Sequence, residues 1–375
     1  MAVTEIEIGR GKRGRRAYSF DDIAVVPSRR TRDPEEVSIS WQIDAFHFPL
    51  PVLAAPMDSV VSPQTAIEMG RLGGLGVLDL EGLWTRYEDP SIGLQEIAGL
   101  EGEAATHRMR ELYAAPIRTE LIGERLREIR EAGVTVAGSL SPQRTQQHWR
   151  TVVDAGVDLF VIRGTTVSAE HVSSRAEPLN LKRFIYELDV PVIVGGAGTY
   201  TAALHLMRTG AAGVLVGFGG GSTHRTRTTL GIHAPAASAI ADVAAARRDY
   251  LDESGGRYVH VIADGGASVS GEIVKAVACG ADAVMMGAAL ARAQEAPGAG
   301  YHWGSEAHHP ELPRGEKVHV GTVGTMEEVL LGPGRTADGT TNMMGALRRA
   351  MATTGYTDLK EFQRVEVVVA PYGGY

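Results

Sequence analysis

HVIADGGASVSGEIVKA, His260 to Ala276, runs from an apolar stretch to a carboxylate, then to two glycines, then into a segment of helical period. An apolar run without polar alternation suits a strand covered on both faces, as in a parallel sheet. Gly265 and Gly266 free the backbone to turn and to approach a ligand before the helix begins. The stretch is one βα unit, and the unit recurs. Strands are expected at Pro51–Ala55, Gly74–Leu78, Thr135–Leu140, Leu159–Arg163, Pro191–Gly195, Gly213–Gly217, Val259–Ala263 and Ala283–Met286, with helices such as 122–132, 202–208 and 272–278 between them. Gly133, Gly210 and Gly280 stand where a helix ends in a left-handed residue. Eight such units predict an α/β fold, a (β/α)8 TIM barrel in a single domain over 1–375; an open doubly wound sheet is the alternative. Residues 80–116 are polar, acidic and weakly patterned. They read as an insertion after the second strand, too short for a regulatory domain. Residues 297–341, rich in Gly, His and Pro, read as a flap-like loop region, followed by a helix over 343–353 and an apolar tail over 365–369.

Composition narrows the function. A net charge of −8 and a pI near 5.9 exclude a sequence-independent grip on nucleic acid, which needs a basic face. No apolar run approaches the roughly 18–20 residues that span a bilayer, and the charged N-terminus lacks the apolar stretch of a signal peptide, so no membrane association and a cytoplasmic location are expected. Cys279 is the single cysteine, so neither an intrachain disulfide nor a cysteine-based zinc site can form. The basic run Arg10, Lys12, Arg13, Arg15 and Arg16 reads as a solvated tail.

Three motifs carry chemistry. VLVGFGGGSTHRTR, Val214 to Arg227, sets glycines and Ser222 after the sixth strand, where freed backbone N–H groups and a hydroxyl can surround an anion. Asp264 ends the seventh strand, and AVMMGAAL supplies Gly287 after the eighth. Many barrels build a phosphate site from the loops after strands seven and eight. A phosphorylated small molecule is therefore expected at this rim.

With those motifs, FDDIAVVPS, LAAPMDSVVSPQTAIEMGRLGGLGVL, VIADGGASVSGEIVKAVACGADAVMMG and EAPG, the chain resembles the IMP dehydrogenase and GMP reductase family through nearly its whole length. It is most similar to a short branch of IMP dehydrogenase-related proteins without the paired regulatory modules, for which the interval after strand two has no room. The resemblance implies a purine nucleoside monophosphate as ligand. It assigns Asp264 to the ribose hydroxyls, and Ser222, Gly265, Gly266, Gly287 and Tyr301 to the phosphate-binding side. Met57 and Asp58 fall at the purine and the active-site floor. It further implies NAD as cofactor, potassium held by carbonyls at Gly219, Gly221 and His224, and a homotetramer.

The redox half departs from the family. Its strand-six loop reads Gly-x-Gly-Pro-Gly-Ser-x-Cys-Thr-Thr-Arg, whereas this chain reads GFGGGSTHRTR, with His224 at the nucleophile, Arg225 at the first threonine and Thr226 at the second. Imidazole can serve as a base but cannot form the hydrolysable thioimidate of the family reaction. The Asp-Ser-Ser that meets the nicotinamide ribose reads Arg163-Gly164-Thr165, the Gly-Gly-Asn after strand five ends in Ala197, and the flap's Arg-Tyr pair has no match. Cys279, at the end of a helix on the opposite face, reads as structural.

Weaker candidates are His302, His308 and His309, which lack a rigid metal-binding frame and read as solvent-facing. Asp21 and Asp22 read as structural, and Arg29, Arg30 and Arg32 as surface. Three functions follow: an NAD-dependent IMP oxidoreductase with altered catalytic residues; a nucleotide-binding paralogue that senses purines or partners the full-length dehydrogenase; and another sugar-phosphate enzyme on the same scaffold.

Overall fold

The computed structural model describes residues 5–28, 30–174 and 177–370; Arg29 lies outside them. Eight apolar runs become barrel strands: β1 Val52–Ala54, β2 Leu75–Asp79, β3 Ala137–Leu140, β4 Leu159–Arg163, β5 Val192–Ala197, β6 Gly213–Val216, β7 His260–Asp264 and β8 Ala283–Met286. They pair in chain order, all parallel, and close with β8 beside β1. Leu159, Phe160, Val161, Ile162, Val261 and Ile262 are fully buried, as expected for strands covered by both the barrel interior and the outer helices.

The register fixes the rim. Gly195 on β5 stands opposite Arg163 on β4, and Asp264 on β7 opposite Met285 on β8. The loops that leave the carboxyl ends of these strands therefore share one face, where barrel sites form.

Outer helices follow their apolar spacing. Thr119–Glu131 buries Leu121, Ile122, Leu126 and Ile129, and Tyr200–Arg208 begins at Thr199, whose side chain accepts the Ala202 N–H. Gly133, Gly210 and Gly280 take φ of +77°, +99° and +118° after their helices, a region closed to most side chains.

Four segments differ from, or add to, the sequence reading. Residues 80–116 are largely helical, as Ser91–Gly99 and Gly102–Tyr113. Their apolar residues Leu94, Ile97, Met109 and Leu112 form a small second core with Leu83, Trp303 and Ala307. The region 297–341 contains the antiparallel pair Tyr301–His302 and Val318–His319 and the helix Met326–Leu330. The apolar tail becomes the strand Val367–Val369, paired with Ile23–Val25. The basic run is no loose tail, because Glu5–Gly9 and Lys12–Arg15 form a hairpin and Arg15 bonds Asp242. Among the described residues no helix is long and apolar enough to cross a membrane.

Candidate functional site

A cleft opens at the rim, lined by Met57 after β1, Arg163 of β4, Gly221 to His224 after β6, Asp264 at the end of β7 with Gly265 to Ser268 after it, Gly287 after β8, and His302. A second, adjoining cleft shares Arg163, Gly221, His224, Asp264 and Gly265, and adds Thr165, Gly219 and Glu306. Of the residues singled out in the sequence, Met57, Arg163, Gly221, Ser222, His224, Asp264, Gly265, Gly266 and Gly287 thus share one cleft, and Thr165 and Gly219 line its neighbour.

One wall is backbone. Gly265 and Gly266 have φ of +89° and +81°, and a Cβ on Gly265 would stand 3.6 Å from the Gly221 nitrogen, so the β6 and β7 loops meet through main chain. A Cβ on Gly287 would stand 3.0 Å from His302 Nε2 and 3.4 Å from Met57 Sδ.

The rest of the lining carries charge. Arg163 Nε donates to Asp264 Oδ2 at 3.0 Å, with the side chains only 15% and 11% exposed. One oxygen of the carboxylate expected to meet ribose is therefore already engaged, by the residue expected on the cofactor side. Sequence spacing could not show this, since the partners are 101 positions apart. His224 Nδ1 lies 3.5 Å from Glu306 Oε2, Thr165 Oγ1 reaches Glu306 Oε1 at 3.5 Å, and Arg314 Nη2 donates to Thr165 Oγ1 at 3.2 Å. Burial raises the Glu306 pKa, but His224, Arg163 and Arg314 outweigh it and hold the carboxyl below its ordinary range.

Other singled-out residues lie elsewhere. Asp58 sits beside the cleft, where its Oδ2 accepts the Tyr113 hydroxyl at 2.6 Å and the Leu83 N–H at 2.8 Å. Burial raises its pKa to about 6. Tyr301 turns its hydroxyl toward Glu101 at 3.5 Å, with Lys317 Nζ 3.8 Å from its ring centre, and is not among the cleft-lining residues. Thr226 is fully buried at the start of Thr226–Leu230, its hydroxyl unpaired among the described residues. Cys279 caps the helix that precedes β8, at the opposite end of that strand from the rim, and burial pushes its thiol up to about 11. At the positions expected for potassium, the Gly221 carbonyl accepts the His224 N–H at 3.1 Å.

The loop histidines correct the expectation of solvent exposure. His302 is buried, its Nδ1 2.9 Å from Ser59 Oγ, and His308 stacks on Tyr113 with ring centres 3.8 Å apart. Among the described residues no three His, Cys, Asp or Glu side chains gather as metal ligands. Sequence reasoning missed His302, Glu306 and Arg314 as cleft-side groups. No local spacing marks them, because their partners Ser59, Thr165 and His224 lie far away along the chain.

A model of the IMP dehydrogenase / GMP reductase domain matches residues 17–308. An uncharacterized oxidoreductase of Mycolicibacterium smegmatis is 54% identical over 372 residues, spanning 97% of this chain and 99% of that protein. The inosine-5'-monophosphate dehydrogenase of Methanocaldococcus jannaschii is 25% identical over 478 positions, spanning 96% of this chain and 94% of that one. The crystal structure of an IMP dehydrogenase/GMP reductase-like protein from Corynebacterium glutamicum superposes with a TM-score of 0.93 at 50% identity, covering 98% of each chain. With its closed eight-stranded barrel, this chain belongs to the IMP dehydrogenase / GMP reductase family.

Proposed function

We propose that the rim cleft binds a purine nucleoside monophosphate, with phosphate against the backbone of Gly265, Gly266 and Gly287 and the Ser222 hydroxyl, and that it does not oxidise the purine through a covalent thioimidate. The observation that carries this reading is the pairing of a glycine-built cleft wall with the absence of any thiol there: the one cysteine caps a helix at the far end of β8. Main-chain N–H groups in left-handed glycine turns are suited to phosphate oxygens.

The nicotinamide side fits the family cofactor poorly. Arg163 stands where the resemblance expects a carboxylate, and it is tied to Asp264; Thr165 is tied to Glu306 and Arg314. A role in sensing purine nucleotides, or in partnering the full-length dehydrogenase, accords with an anion cradle that lacks the family's nucleophile. The His224–Glu306 pair supports a second reading, non-covalent acid–base chemistry on the same ligand, because a carboxylate beside Nδ1 orients the ring. A cytoplasmic homotetramer belongs to the same proposal.

Calorimetry with IMP, XMP and GMP in turn, against ribose 5-phosphate, tests the reading. Purine monophosphates should bind and the bare sugar phosphate bind more weakly; equal affinity for all four would assign the cleft to sugar-phosphate recognition instead.

A further inference from the structure

We infer that His302 selects the ligand: it faces the cleft as a neutral imidazole whose Nε2 is a bare acceptor, so the bound molecule must present an O–H or N–H donor to Nε2 in addition to the phosphate held at the Gly287 main chain. This inference deepens the purine-monophosphate reading and rests on it for the ligand's identity.

The argument begins at Ser59, which is fully buried and has one proton to give. Its Oγ accepts the Trp303 N–H at 3.2 Å and lies 3.1 Å from the Trp303 carbonyl. That carbonyl receives no other hydrogen bond among the described residues, and a buried carbonyl is rarely left unpaired. The Ser59 proton therefore goes to Trp303. What Ser59 offers His302 Nδ1, 2.9 Å away, is a lone pair, so Nδ1 carries the ring proton. Burial, with the charges of His224 and Arg163 nearby, holds the His302 pKa down to about 3, so the ring takes no second proton near neutrality.

Nε2 is then an acceptor with no partner among the described residues. It lies 3.0 Å from the point where a Gly287 side chain would begin, and it borders the cleft. Of the other groups there, main-chain N–H, the Ser222 hydroxyl and Arg163 are donors suited to phosphate or carbonyl oxygen, and the Asp264 carboxylate is an acceptor with one oxygen engaged by Arg163. A phosphate dianion offers only acceptors and cannot meet this nitrogen. The group that does is a ribose hydroxyl or a purine N–H, and both supply the same donor.

The test has two arms. Nitrogen NMR of the ligand-free protein should show His302 neutral, with Nδ1 protonated and Nε2 bare, unchanged between about pH 5 and 8. A proton on Nε2 overturns the inference. In calorimetry His302→Phe should weaken IMP and GMP binding roughly tenfold, the worth of one hydrogen bond in a shielded site. His302→Gln, whose amide oxygen still accepts, should recover part of the loss, and a thermal melt confirms that both variants fold. Unchanged affinity in a folded His302→Phe overturns the inference. With 2′,3′-dideoxy-IMP, loss of the difference between parent and His302→Phe assigns the donor to ribose, and its persistence assigns it to the base. Failure of every purine monophosphate to bind the parent defeats the functional proposal instead, while the NMR arm, which needs no ligand, still decides the state of His302.

Discussion

The two walls of the cleft are made of different material. One is main chain, from Gly265, Gly266 and Gly287 after β7 and β8, while the other is paired charges, Arg163 of β4 with Asp264 at the end of β7 and His224 after β6 with Glu306. A backbone wall recognises an anion through geometry that any sequence of glycines can supply. A side-chain wall decides what else the ligand must carry, and a single substitution resets it. The family's shape can therefore persist on one wall while its chemistry changes on the other.

The largest expected effect would break this comparison outright. Purified protein with IMP and NAD should form no NADH above background and no covalent purine adduct by mass spectrometry. A positioned base contributes on the order of 10²–10⁴-fold, far short of a full enzymatic acceleration. Turnover that survives His224→Ala would show a nucleophile that the charged wall does not display.

Next in size is Asp264→Ala, which leaves the Arg163 guanidinium without its carboxylate. Stability in urea should fall by roughly 1.5–3 kcal/mol, the cost of a lost charged hydrogen bond, and purine-monophosphate affinity should fall with it. An additional Arg163→Met should return most of the stability by removing the stranded charge. If stability recovers but affinity does not, Asp264 meets the ligand as well as the arginine.

On the backbone wall, Gly287→Ala brings a methyl group against His302 Nε2 and Met57 Sδ. Binding should weaken about tenfold while stability changes by no more than about 1 kcal/mol, the range of a small overpacking change. A larger loss of stability than of affinity would make Gly287 a packing residue rather than part of the cradle.

The smallest effect concerns Asp58, outside both walls. Burial raises its pKa to about 6, so the folded protein holds this proton more tightly than the unfolded chain does. The stability it contributes is complete below the unfolded carboxylate pKa and is lost as pH rises through about 6. Asp58→Asn should flatten the decline in stability between about pH 4 and 7. An unchanged slope in urea titrations would assign that decline to other groups, with Asp79, also raised by burial and by Asp58, the first to test.

The strands were legible because burial on both faces leaves continuous apolar runs: Leu159–Arg163 and Ala283–Met286 match their sequence readings at both ends. The backbone wall was legible for a related reason, since glycine is the residue that a left-handed turn demands, and Gly265 and Gly266 announce the turn themselves. The charged wall was not. Arg163 and Asp264 end separate strands and meet only because the barrel closes, and Glu306 acquires its partners from the loops after β4 and β6. The helices Ser91–Gly99 and Gly102–Tyr113 escaped for the same reason, their apolar residues being paid off by Trp303, some 200 positions away.

That packing of Trp303 has a dynamic consequence. The tryptophan holds the 80–116 insertion through Leu83, Met109 and Tyr113, and its chain neighbours His302 and Glu306 line the clefts. A swing of this segment large enough to open the cleft would bring its indole and the apolar faces of two helices into water together. The insertion and the cleft-lining stretch should therefore open as one cooperative block in hydrogen exchange.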